Sequence, residues 1–207
     1  MTLTYIFHSC FALETESCIL VFDYWMDPNG AIPTLLSKDK PVYVFASHFH
    51  EDHFNPEIFD WRKAYPHSSF VYILSKDILK HHRCSKEAAD VWLVKESTWS
   101  DSIVNVHAMG SNDSGVSWIV EVEGKRIFHA GDFNDWQRPS AMPVDNMQMH
   151  NYFIAELRKM APYVANADLA LFPVDPHQEH FIALGATQFC SETHPKALVP
   201  MHCWQQF

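Results

Sequence analysis

Pro41-Val-Tyr-Val-Phe-Ala46, followed without a break by Ser47-His-Phe-His-Glu-Asp-His53, is the stretch on which the fold turns. An unbroken apolar run of strand length, with no polar alternation, is the pattern of a strand covered on both faces. Directly behind it stand four metal-ligand side chains, His48, His50, Asp52 and His53, within six positions. Histidine and aspartate each occur 14 times in 207 residues, so an accidental His-x-His-x-Asp-His match is on the order of 0.4%. A short loop after a buried strand can turn these groups toward one locus. The adjacent pairs His48/His50 and Asp52/His53 suit two ions rather than one.

Working outward, Asn55, Pro56 and Glu57 form a helix start: a cap, a first-turn proline and an acid at the positive end of the dipole. Thr4–Phe7, Phe11–Glu14 and Cys18–Phe22 read as strands upstream, and Phe70–Leu74 and Val91–Val94 as strands downstream around a short Lys76–His82 helix. Val116–Val122 and Arg126–His129, joined through Gly124-Lys125, read as a β-hairpin. Asn146–Val164 has helical spacing, with Met149, Phe153, Leu157 and Met160 on one stripe. The chain closes with a strand at Asp168–Phe172, a helix at Ala183–Glu192 and a strand at Ala197–Met201. This order predicts one domain over residues 1–207, of α+β or α/β class, with two sheets sandwiched between helices.

Composition narrows the function. Hydrophobic residues are 47% and charged residues 19%, which excludes a disordered or coiled-coil chain. With 15 basic and 25 acidic residues the net charge is −10, which disfavours nucleic acid and anionic membrane surfaces as partners. Five cysteines without a Cys-x-x-Cys pair fit neither a disulfide framework nor a zinc ribbon. No apolar run approaches the roughly 20 residues of a bilayer span, and Met1–Phe7 has no signal-peptide pattern, so the expected location is cytoplasmic. No Gly-x-Ser-x-Gly elbow supports serine-hydrolase chemistry.

Two distant sites agree with the histidine loop. His129-Ala-Gly-Asp132 follows a strand, and a carboxylate projecting from a strand end can bridge two cations. Pro200-Met-His202 closes the last strand with one more imidazole. Asp175–His180 follows another strand and offers a polar wall facing substrate, and Trp25, Tyr24, Trp136 and Trp204 fall where a pocket could be lined. His8 is either a turn residue or a donor to a ligand carboxylate.

His8-Ser-Cys-Phe11, His48–His53, His129–Asp132 and Pro200–His202 occur in an order that resembles the metallo-β-lactamase superfamily of metal-dependent hydrolases, over nearly the whole chain. Within it, the pattern is similar to the subgroup of L-ascorbate-6-phosphate lactonases. The resemblance implies an αββα sandwich of two mixed β-sheets flanked by helices, with the site along one edge. It further implies that His48 and His50 bind one metal, that Asp52, His53 and His202 bind the second, and that Asp132 bridges. The third histidine expected for the first metal is missing. Val106–Gly115 offers Asp113 as an oxygen replacement, or His107 if the loop runs differently, and Asp113 is preferred because His107 sits in a strand-like run.

The activity this predicts is hydrolysis of a small-molecule ester, lactone or phosphoester by a metal-bound hydroxide, two Zn²⁺ ions bringing water to about pKa 7. Manganese or iron would also suit these donors. Asp52 would orient the nucleophile and shuttle its proton, and His129 would relay a proton or donate to a ligand. The alternatives are iron-dependent oxygen or persulfide chemistry on the same fold, and a metal-binding sensor without turnover. Di-iron relatives commonly carry glutamate where this chain has His50, which disfavours the first.

Overall fold

The computed structural model describes residues 1–204 and 206. The apolar run at 42–46 is a central strand of a six-stranded sheet made, in spatial and sequence order, of β1 (Thr2–Phe7), β2 (Cys10–Glu14), β3 (Ile19–Phe22), β4 (Val42–Ala46), β5 (Phe70–Ser75) and β6 (Val91–Leu93). Its first two pairings are antiparallel and the remaining three parallel. The second six-stranded sheet holds β7 (Ser97–Ser100), β8 (Val104–Gly110), β9 (Val116–Val122), β10 (Lys125–His129), β11 (Leu169–Pro173) and β12 (Leu198–Met201). Its β7–β10 pairings are antiparallel, and β10–β12 are parallel.

The pleat explains the unbroken hydrophobicity of β4. Tyr43 and Phe45 enter the core between the sheets, while Val42, Val44 and Ala46 enter a second core on the outer face. That outer core is closed by helix α1 (Ala31–Leu36) and by the segment after the histidine loop, where Ile58 and Trp61 are buried. On the far side of the second sheet lie α4 (Pro143–Val164) and α5 (Leu184–Thr193), the helices that follow α2 (Trp61–Ala64) and α3 (Lys76–Lys80) in the chain. Phe153 of α4 meets Phe133 at 4.9 Å, and Phe189 of α5 stacks on Phe128 at 5.0 Å, so both helices dock through aromatic anchors. The result is the expected αββα sandwich of two mixed sheets.

Several local readings shift. Asn55 does cap, its Oδ1 accepting from Glu57 N–H at 3.0 Å, but the helix it starts is a 3₁₀ turn (Pro56–Asp60) followed by only the four residues of α2. The β9–β10 turn is Glu123-Gly124, with φ of 50° and 70°, one residue earlier than the sequence suggests. Both central residues at positive φ match the twist of the strands they join. In α4 the buried stripe is Phe153, Leu157, Met160 and Val164, whereas Met149 lines a cavity. Among the described residues no helix is long and apolar enough to cross a membrane.

Candidate metal centre

The strands that bear the predicted groups, and one unpredicted carboxylate, Asp23, all end at one edge of the sandwich. His8 leaves β1, Asp23 leaves β3, His48–His53 leave β4, Asp132 leaves the β10 exit and His202 leaves β12. Two glycines let the sheets close on the histidine loop. Gly115 lies so near Ser47 that a Cβ there would stand 2.0 Å from its carbonyl oxygen, and this approach permits the 3.0 Å bond from Val116 N–H to Ser47 O. Gly131, at φ 56°, would likewise bring a Cβ within 2.9 Å of the Ser47 side chain.

Buried carboxylates then fix how each imidazole presents itself. Asp23, fully buried, accepts Ser47 N–H at 2.8 Å, Ser47 Oγ–H at 2.6 Å and His53 Nδ1–H at 2.7 Å. Ser47 has thereby spent its own proton, so its oxygen accepts from His48 Nδ1 at 3.0 Å. Asp175 accepts His202 Nδ1–H at 2.9 Å. In all three imidazoles the Nδ1 is occupied and the Nε2 turned inward, the arrangement that prepares histidine to bind a metal.

The inward atoms crowd together, and apart from the His48–His50 hydrogen bond they are mostly unbonded to one another. His53 Nε2 lies 3.0 Å from Asp132 Oδ1, yet neither has a hydrogen bond among the described residues. His202 Nε2 is 3.6 Å from Asp132 Oδ1 and 3.7 Å from Asp52 Oδ2. His48 Nε2 is 3.3 Å from Asp132 Oδ2 and 2.9 Å from His50 Nδ1. Donor atoms within 4.8 Å of one another form three sets here: His48, His50 and Asp132; His8, Asp52, His53 and His202; and, behind the rings, Asp23 with His48 and His53.

Electrostatics agrees that this locus calls for positive charge. Burial alone would lower the His53 pKa, but the charges of Asp132 and Asp23 outweigh it and hold the ring well above its ordinary value. Asp132 is held well below the usual carboxylate range, burial being overcome by His53 and His48. The two carboxylates thus favour positive charge at this spot. His8 and His50 are shifted the other way, chiefly by burial and then by neighbouring imidazoles, and remain neutral donors. Orphaned buried nitrogens and oxygens beside surplus buried carboxylate fit one or two divalent ions.

Of the predicted residues, His48, His50, Asp52, His53, Asp132 and His202 are brought together. Asp113 is in none of these sets. It is exposed and lines the cavity, and desolvation followed by repulsion from Asp132 raises its pKa. His107 is far from serving as its substitute: it packs edge-on against Tyr163 at 4.9 Å on the outer face of the second sheet. His129 is fully buried, its Nε2–H donating to Ser9 O at 2.9 Å and its Nδ1 accepting Gly131 N–H at 3.1 Å. With both nitrogens held by backbone, it fixes the turn that carries Asp132 and has none free to relay a proton.

Asp23 was missed, although it follows a strand as Asp132 does. Asp175 was read only as part of a polar wall; it also holds His202, and its pKa falls to about 2 because His202, His177 N–H and Trp204 outweigh its burial. Above the donors opens a cavity of about 750 Å³, walled by Trp136, Trp204, Met149 and His177, with Arg138 as its one lysine or arginine among the described residues. Trp25 instead lines a small hollow with His8, and Tyr24 is buried against Trp61.

Residues 2–145 match the model of the beta-lactamase superfamily domain, and the chain belongs to that family. It is 23% identical, over 98% of its length and 83% of the relative's, to a UPF0173 metal-dependent hydrolase of Natranaerobius thermophilus. To a UPF0173 metal-dependent hydrolase of Symbiobacterium thermophilum it is 25% identical, over 100% and 85%. Among solved structures it is similar to Igni18, a metallo hydrolase from Ignicoccus hospitalis, with a TM-score of 0.66, 17% identity and coverage of 97% and 81%. The metallo-beta-lactamase fold protein YhfI from Bacillus subtilis gives a TM-score of 0.63 at 12% identity, covering 95% and 78%.

Proposed function

We propose that this chain is a metal-dependent hydrolase of a small-molecule ester, lactone or phosphoester, in the manner of the lactonase-like subgroup. The observation that carries the reading is the convergence of imidazole and carboxylate donor atoms at the floor of the cavity, with His48, His53 and His202 held from behind at Nδ1 and with His53 Nε2 and Asp132 Oδ1 buried without a hydrogen bond. The names of the UPF0173 relatives support it. A divalent ion such as zinc, when bound, supplies Lewis acidity that acidifies water and polarises a carbonyl or phosphoryl oxygen.

The residues divide the remaining work. His48 and His50 hold one side of the centre, Asp52, His53 and His202 the other, and Asp132 spans between them through its two oxygens. Asp52, held ionised below the usual carboxylate range by His8 and His53 despite its burial, would offer a charged acceptor to orient a water at the centre. Trp136 and Trp204 give the substrate an apolar wall, and a cavity of about 750 Å³ suits a small molecule.

Asp132→Asn keeps the size and removes the charge. We expect the variant to lose bound metal and turnover of generic lactones, esters and phosphodiesters together, with added Zn²⁺ restoring only part. Full metal content with unchanged turnover would remove Asp132 from the centre. Wild-type protein that binds metal but turns over none of these substrate classes would overturn the hydrolase reading.

A further inference from the structure

His8 lies outside the histidine loop, at the exit of β1, yet its surroundings are not those of a packed turn residue. It is 2% exposed, and its φ of 54° lies in the left-handed region that a residue with a side chain rarely occupies. The backbone is held there from both ends. Its N–H donates to the Tyr5 hydroxyl at 2.9 Å, and its carbonyl accepts His202 N–H at 3.3 Å. The ring is clamped between His202 at 4.1 Å and Trp204 at 4.5 Å, with Trp25 edge-on at 5.7 Å.

For all this support, neither ring nitrogen has a hydrogen-bond partner among the described residues. Nε2 stands 3.2 Å from Asp52 Oδ2, out of line for a bond. Buried nitrogens of a rigidly positioned imidazole are seldom left unbonded. His8 offers one donor atom within 4.8 Å of donors from Asp52, His53 and His202. Asp132 does not need to join them to complete a four-donor set.

We propose that His8 is a fourth ligand of the metal position formed by Asp52, His53 and His202, a three-imidazole, one-carboxylate site that fills before the His48/His50 side. This rests on the metal-binding half of the function proposed above and is independent of hydrolysis. Three nitrogens and one oxygen meet the tetrahedral habit of zinc. The opposite side has only two imidazoles and a share of Asp132. The two sides are therefore unequal, and one equivalent of metal selects the His8 side.

The test is metal titration of the full chain after chelation, with Zn²⁺ by calorimetry and Co²⁺ by visible absorption. Wild type should fill one tight position and then a weaker one. His8→Ala should weaken the tight position by about tenfold or more. His8→Gln, which keeps an N–H beside Asp52 but offers no imidazole, should not restore it. Unchanged affinity in His8→Ala, or recovery in His8→Gln, would overturn the proposal and leave His8 as a packing or positioning residue. Should the variants not fold, X-ray absorption of wild type with one equivalent of Zn²⁺ decides: three imidazoles support the assignment, two overturn it. Because each readout is binding, a protein that binds as described but hydrolyses nothing leaves this inference standing.

Discussion

Asp23 shapes the centre from behind its imidazoles. One buried carboxylate fixes Ser47, through it the tautomer of His48, and directly the ring of His53. Asp23→Asn keeps the shape but replaces an acceptor oxygen with an amide donor, so either Ser47 or His53 loses its partner. Metal affinity should drop by about 10–100-fold, read by competition with a chromophoric chelator. An unchanged affinity would mean the rings are held by packing alone. The contrast between Asp23 and the His-x-His-x-Asp-His run shows what was legible. The run announces itself because its ligands lie within six residues. Asp23 and Asp175 act across separations of 30 and 27 residues, on His53 and His202, which no local pattern reports. The strand-end rule that selects Asp132 also selects Asp23, which directly follows the strand read over Cys18–Phe22, but the rule goes unused there.

At the scale of elements, strands buried on both faces were legible and the polar edge strand β7 was not. β4 and β11 are hydrophobic throughout because both pleat faces are covered, whereas β7, Ser-Thr-Trp-Ser, lies at the sheet edge with alternate residues exposed. An exposed edge leaves little hydrophobic signal to read. The other edge of that sheet is tied down electrostatically. Asp168, just before β11, accepts Arg126 N–H at 2.9 Å on β10 and Lys196 Nζ at 2.9 Å before β12. The Arg126 N–H, then Lys196, hold its pKa down to about 2. An unfolded aspartate titrates near 3.9. The folded value is the lower one, so this stabilisation is fully present above about pH 4 and is lost as the pH falls from there through about 2. Asp168→Asn should flatten that part of the pH dependence of the urea midpoint. Because the lysines are exposed, the effect should also shrink in high salt. A variant with an acid limb identical to wild type would show that the pairings carry no stability.

For the whole molecule, the sandwich gathers negative charge where it is most costly. The chain carries −10 overall, and Asp23, Asp132 and Asp175 are buried at one edge beside Asp52. Imidazoles around these carboxylates hold them ionised despite their burial, and an ion at the centre would add positive charge beside them. Binding that favours the folded state stabilises by mass action. Metal at 100 times its dissociation constant adds about 2.7 kcal/mol if the unfolded chain does not bind. For a domain of this size that is a rise of about 5–10 °C in melting temperature. Calorimetric scans of one preparation, with chelator and with excess Zn²⁺, should differ by this amount. Asp132→Asn should behave differently at both ends. Because His53 and His48 favour the Asp132 charge in the folded chain, its chelated form should melt below wild type, and its gain from Zn²⁺ should be smaller. Identical melting of wild type with and without metal would mean that the gathered carboxylates hold no ion, and the edge would then be a polar seam between the two sheets.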